Sequence, residues 1–170
     1  MNAEPFLGEI TRHLNELHFD VVLIGNAAAA LQGAPVTTVD FDFMFRKTAV
    51  NLRKLKALAR RLGATVLRPY YPVSDLFRVV RDDDGLQLDF MGTIHGVRSF
   101  AALRARAREF ELNGATLRIA SLHDIIASKR AARRPRDLAV IEVLEKTRAE
   151  VGRPSESTRG AQARKRPRTR

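Results

Sequence analysis

"LIGNAAAALQGAPVTTVDFDF", Leu23 to Phe43, runs an apolar strand into a block of small residues, then sets two acids, Asp40 and Asp42, one residue apart in a second apolar strand. Successive strand side chains point to opposite faces, so Asp40 and Asp42 project together while Val39, Phe41, Phe43 and Phe45 bury the other face. Two neighbouring carboxylates repel and raise each other's pKa unless a cation lies between them. Two readings stand for such a pair. One is a solvated strand end. The other is a divalent cation site, where Mg²⁺ takes its remaining ligands from substrate phosphates and water.

Outward from this stretch, Asp89 in "LQLDF" shares a face with Gln87, opposite Leu86, Leu88 and Phe90, so a neighbouring strand can bring it to the same cluster. Upstream, Gly25-Asn26 falls at a strand-to-helix turn, where free backbone N–H groups and the helix dipole favour phosphate. A glycine turn, a D-x-D strand and a later single acid are the parts of a two-metal phosphoryl-transfer site.

The rest of the chain reads as helices alternating with short strands. Phe6, Leu7, Ile10, Leu14 and Leu17 fall at helical spacing, as do Leu52, Leu55, Leu58 and Leu62. Strands are expected at 20–24, 38–45, 65–67, 76–81 and 86–90, and small-residue or amphipathic helices at 27–31, 50–62 and 99–107. "DDDG" marks a turn between two strands and Asn113-Gly114 a tight hairpin. Ser121 caps a helix with Asp124 three residues on, and Pro135 opens the last helix. The expected fold class is α/β (α+β), a mixed sheet flanked by helices.

At 170 residues and 45% hydrophobic content the chain suits one domain with an appendage. The expected division is a domain over 1–147, including the C-terminal helices, and a basic tail over 148–170. From Val151 onward seven Lys or Arg face a single acid, Glu156, in a Pro-, Gly- and Ser-rich run without apolar periodicity, which predicts disorder. The formal charge of +11 and sequence pI near 11.1 favour polyanionic partners. With no cysteine, disulfides, thiol catalysis and Cys-based zinc sites are excluded. The N-terminus lacks a signal-peptide pattern and no run of about 18 apolar residues follows, so a cytoplasmic protein without membrane contact is expected.

The order "LIGN…GAPVTTVDFDF…LDFMG…SLHDIIASKRAARRPRDLAVIEVL" resembles the nucleotidyltransferase superfamily with a polymerase-beta-like fold, in particular its AbiE-type toxin branch, over about residues 20 to 147. The resemblance implies that Gly25 and Asn26 form the phosphate-binding turn, with Asn26 in place of the usual second Gly or Ser, and that Val36 replaces an arginine. It implies that Asp40, Asp42 and Asp89 are the metal-binding acids, and that Lys129 and Asp137 are the helix lysine and the acid of the closing motif. Lys129, Arg130, Arg133 and Arg134 lie on or just past one helix, with Lys129 and Arg133, at i and i+4, on one face; the cluster reads as a grip on triphosphate or on the acceptor's backbone, or as a solvated basic face. Asp137 has a second reading as a helix-dipole partner. Tyr70 and Tyr71 read either as a packed loop or as a stacking surface for a base.

The implied activity is Mg²⁺-dependent transfer of a nucleoside monophosphate from an NTP to an acceptor hydroxyl. The acceptor is RNA, tRNA included, or a protein, and the enzyme is the toxin of a pair with a cognate antitoxin. Two other functions remain open on sequence: a small-molecule transferase of the antibiotic-modifying kind, and a non-catalytic nucleotide- or nucleic-acid-binding module.

Overall fold

The computed structural model describes residues 3–38 and 40–152. Val39 and residues 153–170, most of the expected tail, lie outside them. The elements follow the order α1 (Ala3–Glu16), β1 (Val21–Ile24), α2 (Gly25–Ala30), β2 (Phe41–Phe45), α3 (Ala49–Arg61), β3 (Thr65–Leu67), β4 (Phe77–Arg81), β5 (Leu86–Met91), α4 (Phe100–Arg106), β6 (Arg108–Leu112), β7 (Ala115–Ile119), α5 (Leu122–Ala132) and α6 (Pro135–Val151). The strands form one mixed sheet in the order β3-β4-β5-β2-β1-β7-β6. β1 runs parallel to β7 and β2 parallel to β5, and the other pairings are antiparallel.

Local chemistry explains the boundaries. Thr48, Ser99 and Ser121 each accept a backbone N–H in the first turn of α3, α4 and α5, replacing donors that a helix start leaves unpaired. The β6–β7 hairpin turns on Asn113 and Gly114, both at positive φ, where a left-handed turn is needed and these residues tolerate it. Three boundaries differ from the sequence reading. β2 begins at Phe41 rather than Thr38, because the Thr38 hydroxyl donates to the Asp40 carbonyl at 2.6 Å and so curls the approach instead of extending the ladder. α2 starts directly at Gly25, leaving no separate turn after β1. α6 runs on to Val151, past Thr147, whose side chain is buried and donates to the Val143 carbonyl.

The core is centred on the middle strands. Phe43 and Phe90 stack at 5.0 Å between ring centroids, and Phe19 and Phe45 close around Phe90 in stacked and edge-on contacts. This aromatic cluster anchors β2 to β5, the two strands that carry acids on their other positions. α1 packs on β7 and α3, and α2 packs against β1 and α5. Among the described residues no helix is long and apolar enough to cross a membrane.

Candidate active site

One row of paired residues crosses four strands at the same level. Ile24 on β1 pairs with Asp42 on β2, Asp42 with Asp89 on β5, and Asp89 with Arg78 on β4. Because β2 and β5 are parallel and in this register, Asp42 and Asp89 come side by side. Asp40 joins them from just before β2, held by the Thr38 hydroxyl, which also reaches its carboxylate at 3.2 Å. One carboxylate oxygen from each of Asp40, Asp42 and Asp89 lies within 4.8 Å of the others. The three acids expected from sequence are therefore brought together, although Asp40 is positioned by a local turn rather than by strand alternation.

Asp42 bears the electrostatic cost. Burial first, then the Asp40 and Asp89 carboxylates, pushes its carboxyl from the ordinary 3.8 up to about 7, against the opposing pull of Lys129 and Arg136. Gly25 explains how β1 can pass so close. It sits at φ +68°, and a Cβ there would lie 2.6 Å from Asp42 Oδ2, so only glycine fits both the backbone and the space.

Asp89 is held differently. The Arg78 guanidinium donates to both its oxygens, from Nε at 2.8 Å and from Nη2 at 2.7 Å, a bidentate pair that fixes the carboxylate plane. Sequence reasoning missed Arg78. The signal was present in the "DDDG" turn, since an antiparallel register from Arg81 opposite Leu86 carries Arg78 to Asp89.

These groups line a cavity of about 870 Å³ that also meets Asn26, Tyr70, Asp75, Asp124, Lys129, Arg134, Arg136 and Asp137. Lys129 on α5 and Asp137 on α6 form a nearly buried ion pair at 3.0 Å. Asp137 thus holds Lys129 at the cavity wall, and its place in the first turn of α6 also suits the helix dipole. Arg133 does not share that wall. α5 ends at Ala132, and Arg133 turns left-handed at φ +52°, so the i, i+4 alignment with Lys129 is lost and its exposed side chain lies outside the cavity lining. Arg134 and Arg136, just past the break, take its place. Arg136 was not singled out by sequence, because its position depends on that break.

Asn26 also lines the cavity. Its Nδ2 donates to the Thr37 carbonyl at 3.1 Å, which commits one of the amide's two N–H donors, and its Oδ1 is buried without a partner.

Most cavity acids are matched by a cation: Asp75 by Lys47, Asp89 by Arg78, Asp124 by Arg106 and Asp137 by Lys129. Among the described residues, Asp40 and Asp42 on one side and Arg134 and Arg136 on the other keep no ion-pair partner. The cavity thus holds an unmatched carboxylate pair and an unmatched guanidinium pair.

Residues 4–156 match the family described as "Nucleotidyl transferase of unknown function (DUF2204)". The chain belongs to this nucleotidyltransferase family. It is accordingly an enzyme of the nucleotidyl-transferring type. No curated protein matches the chain significantly. Among solved structures, the fold is similar to that of ANT(2'')-Ia in complex with adenylyl-2''-tobramycin, with TM-score 0.58, 17% identity, and 95% of this chain and 100% of that one covered. It is also similar to the lincomycin-bound lincosamide antibiotic adenylyltransferase LnuA, with TM-score 0.61, 14% identity, and 86% and 98% covered. The Thermotoga maritima protein TM1012 is similar as well, with TM-score 0.56, 20% identity, and 86% and 92% covered. These similarities establish the expected nucleotidyltransferase fold.

Proposed function

We propose that this nucleotidyltransferase moves a nucleoside monophosphate from an NTP to a hydroxyl of RNA, using Mg²⁺ held by Asp40, Asp42 and Asp89. The single observation that carries the reading is the carboxylate cluster, in which Asp40 and Asp42 lack cations and Asp42 is driven to about 7. An all-oxygen donor set of this kind fits a hard divalent ion, whose arrival offsets the repulsion. When bound, Mg²⁺ supplies Lewis-acid neutralisation of phosphoryl oxygens. The chain's own groups do the rest. Arg134, Arg136 and Lys129 attract the triphosphate, Asp137 orients Lys129, and the bidentate Arg78 contact fixes Asp89 in direction. Gly25 lets the substrate-facing backbone approach Asp42 without a clash.

An RNA acceptor is favoured by the formal +11 charge and by the arginines that face the cavity. The resemblance to AbiE-type toxins adds the expectation of a tRNA acceptor and a controlling antitoxin. A small-molecule acceptor is the second reading, because a cavity of about 870 Å³ is sized for one and the fold is shared with antibiotic-modifying enzymes. Unmatched guanidinium groups on the wall would repel a cationic antibiotic.

Incubating the protein with each α-labelled NTP, Mg²⁺ and total RNA tests the reading. Label should enter RNA with release of pyrophosphate, and EDTA or Asp42→Asn should stop it. Label entering an aminoglycoside or lincosamide but no RNA would move the assignment to the second reading.

A further inference from the structure

Between β3 and β4 the chain runs "RPYYPVSDL", Arg68 to Leu76, and leaves its aromatic and apolar side chains in water: Tyr70 is 77% exposed, Tyr71 63% and Val73 92%. Exposed rings of this size add nothing to the core, and clustered exposure of this kind marks a binding surface. The loop is nevertheless built. The Ser74 N–H donates to the Tyr70 carbonyl at 2.9 Å, Ser74 Oγ accepts from the Leu76 N–H at 3.2 Å, and Asp75 is tied to Lys47 at 2.6 Å. The Arg68 guanidinium lies 4.0 Å from the Tyr71 ring centroid, and among the described residues it has no acidic partner in hydrogen-bond range. Tyr70 itself stands at φ +62°, a left-handed conformation that a bulky residue adopts only at a cost, and its side chain lines the cavity.

Position in the sheet says which side of the chemistry this loop serves. The strand order places β4 on one flank of the acid-bearing pair β2 and β5, and β1 and β7 on the other. Arg134, Arg136 and Lys129 reach the cavity from α5 and α6, which follow β7. In phosphoryl transfer the attacking and leaving oxygens lie in line on opposite sides of the phosphorus. If the departing pyrophosphate is drawn to the cationic flank, the attacking hydroxyl enters from the β4 flank, where Tyr70 and Tyr71 stand.

We propose that Tyr70, Tyr71 and Arg68 form the docking platform for the 3′ end of a single-stranded RNA acceptor, with the terminal base stacked on Tyr70 and the backbone beside Arg68. The inference rests on the acceptor assignment made above. Aromatic faces accept any base, and a guanidinium held against one of them supplies the charge complementarity that a phosphate backbone requires. The chemistry of the platform therefore matches a strand that is both aromatic and anionic.

The test uses the full chain, a short single-stranded RNA, and the same RNA lacking its 3′-terminal base. Tyr70→Ala should raise both the Kd for the intact RNA, measured without NTP, and its KM in transfer, on the order of tenfold. The KM for NTP and the melting temperature should stay unchanged, and Tyr70→Phe should restore affinity because the ring is kept. Removing the terminal base should weaken wild-type binding by the same factor and weaken Tyr70→Ala no further. Unchanged RNA affinity in Tyr70→Ala overturns the platform, as does a rise confined to the KM for NTP, which would assign the ring to the donor's base. Wild type that labels no RNA overturns the acceptor assignment instead. The binding arm, which needs no turnover, still judges the platform in that case: a Tyr70- and base-dependent Kd upholds it, and an independent one ends it.

Discussion

Two aspartates at this cavity, Asp42 and Asp124, have opposite electrostatic fates. Asp124, in the first turn of α5, receives Arg106 at 2.6 Å and the Ser121 hydroxyl at 2.8 Å. Burial works against its ionisation, but these two partners outweigh it and hold the carboxyl below its ordinary range. Asp42, on β2, is pushed up to about 7, by burial first and then by two further carboxylates. Both line the same space, and both are acids set near an element's start. Asp124 has its donors already in place, and so does Asp89 through Arg78, whereas Asp42 has no cation bonded to it. That difference separates Asp42 and Asp40 from Asp124 in a way that residue type alone does not.

The largest effect expected from this contrast is on turnover. Asp42→Asn should lower nucleotide transfer by on the order of a thousandfold, the scale of losing one preorganised electrostatic contact to a reacting phosphoryl group. Asp124→Asn should retain most activity per folded molecule. Equal losses in the two variants, measured as initial rates on protein of verified fold, would erase the distinction.

The pH dependence of stability should differ in sign between the two acids. In the folded protein Asp42 holds its proton more tightly than the unfolded chain does, so without metal its contribution is favourable at low pH and fades as pH rises from 3.8 through about 7. A shift of that size corresponds to a few kcal/mol, about 1.4 for each pH unit. Relative to wild type, Asp42→Asn should therefore gain stability as pH rises across that window. Asp124 runs the other way: its stabilisation is present above the ordinary carboxylate pKa and lost as pH falls through its lowered folded value. Urea melts of both variants from acid to neutral pH check the two slopes.

At neutral pH, Asp124→Asn should cost about 1–3 kcal/mol through the broken contacts with Arg106 and Ser121, a figure reduced by the exposure of Arg106. The smallest effect belongs to Gly25→Ala, with about 1–2 kcal/mol lost from the positive φ alone. Because the added Cβ would press on Asp42 Oδ2, activity should fall further than stability. A variant with native activity would show that Asp42 can retreat from β1.

Much of the fold was legible because its signals are local. The "DDDG" and Asn113-Gly114 turns, the serine cap at Ser121, and the alternation in "LQLDF" each depend on a few adjacent residues, and the structure keeps all of them. The site was legible as far as its acids. What escaped depends on partners far apart in sequence or on a broken helix. Arg78 becomes a site residue only through cross-strand register with Asp89. Arg133 leaves the Lys129 face, and Arg136 gains the cavity, because α5 stops one residue short of Arg133. Asn26 commits one of its two amide donors to Thr37. Periodicity assigns faces within an element; it does not report where the element ends or which backbone carbonyl lies nearby.

The proposed function requires that the Asp40–Asp42 pair be destabilising by itself and be completed by a divalent cation with nucleotide. Thermal melts of wild type and Asp42→Asn at a pH above 7, each with EDTA, with Mg²⁺, and with Mg²⁺ plus NTP, test it most directly. With EDTA the variant should melt at or above the wild-type temperature, because one like charge has been removed. Mg²⁺ with NTP should raise the wild-type melt by several degrees and move the variant far less. If the variant is instead destabilised under every condition, and Mg²⁺ with any NTP leaves both melts where they were, the pair is part of the protein's structure and the metal site assigned to it is contradicted.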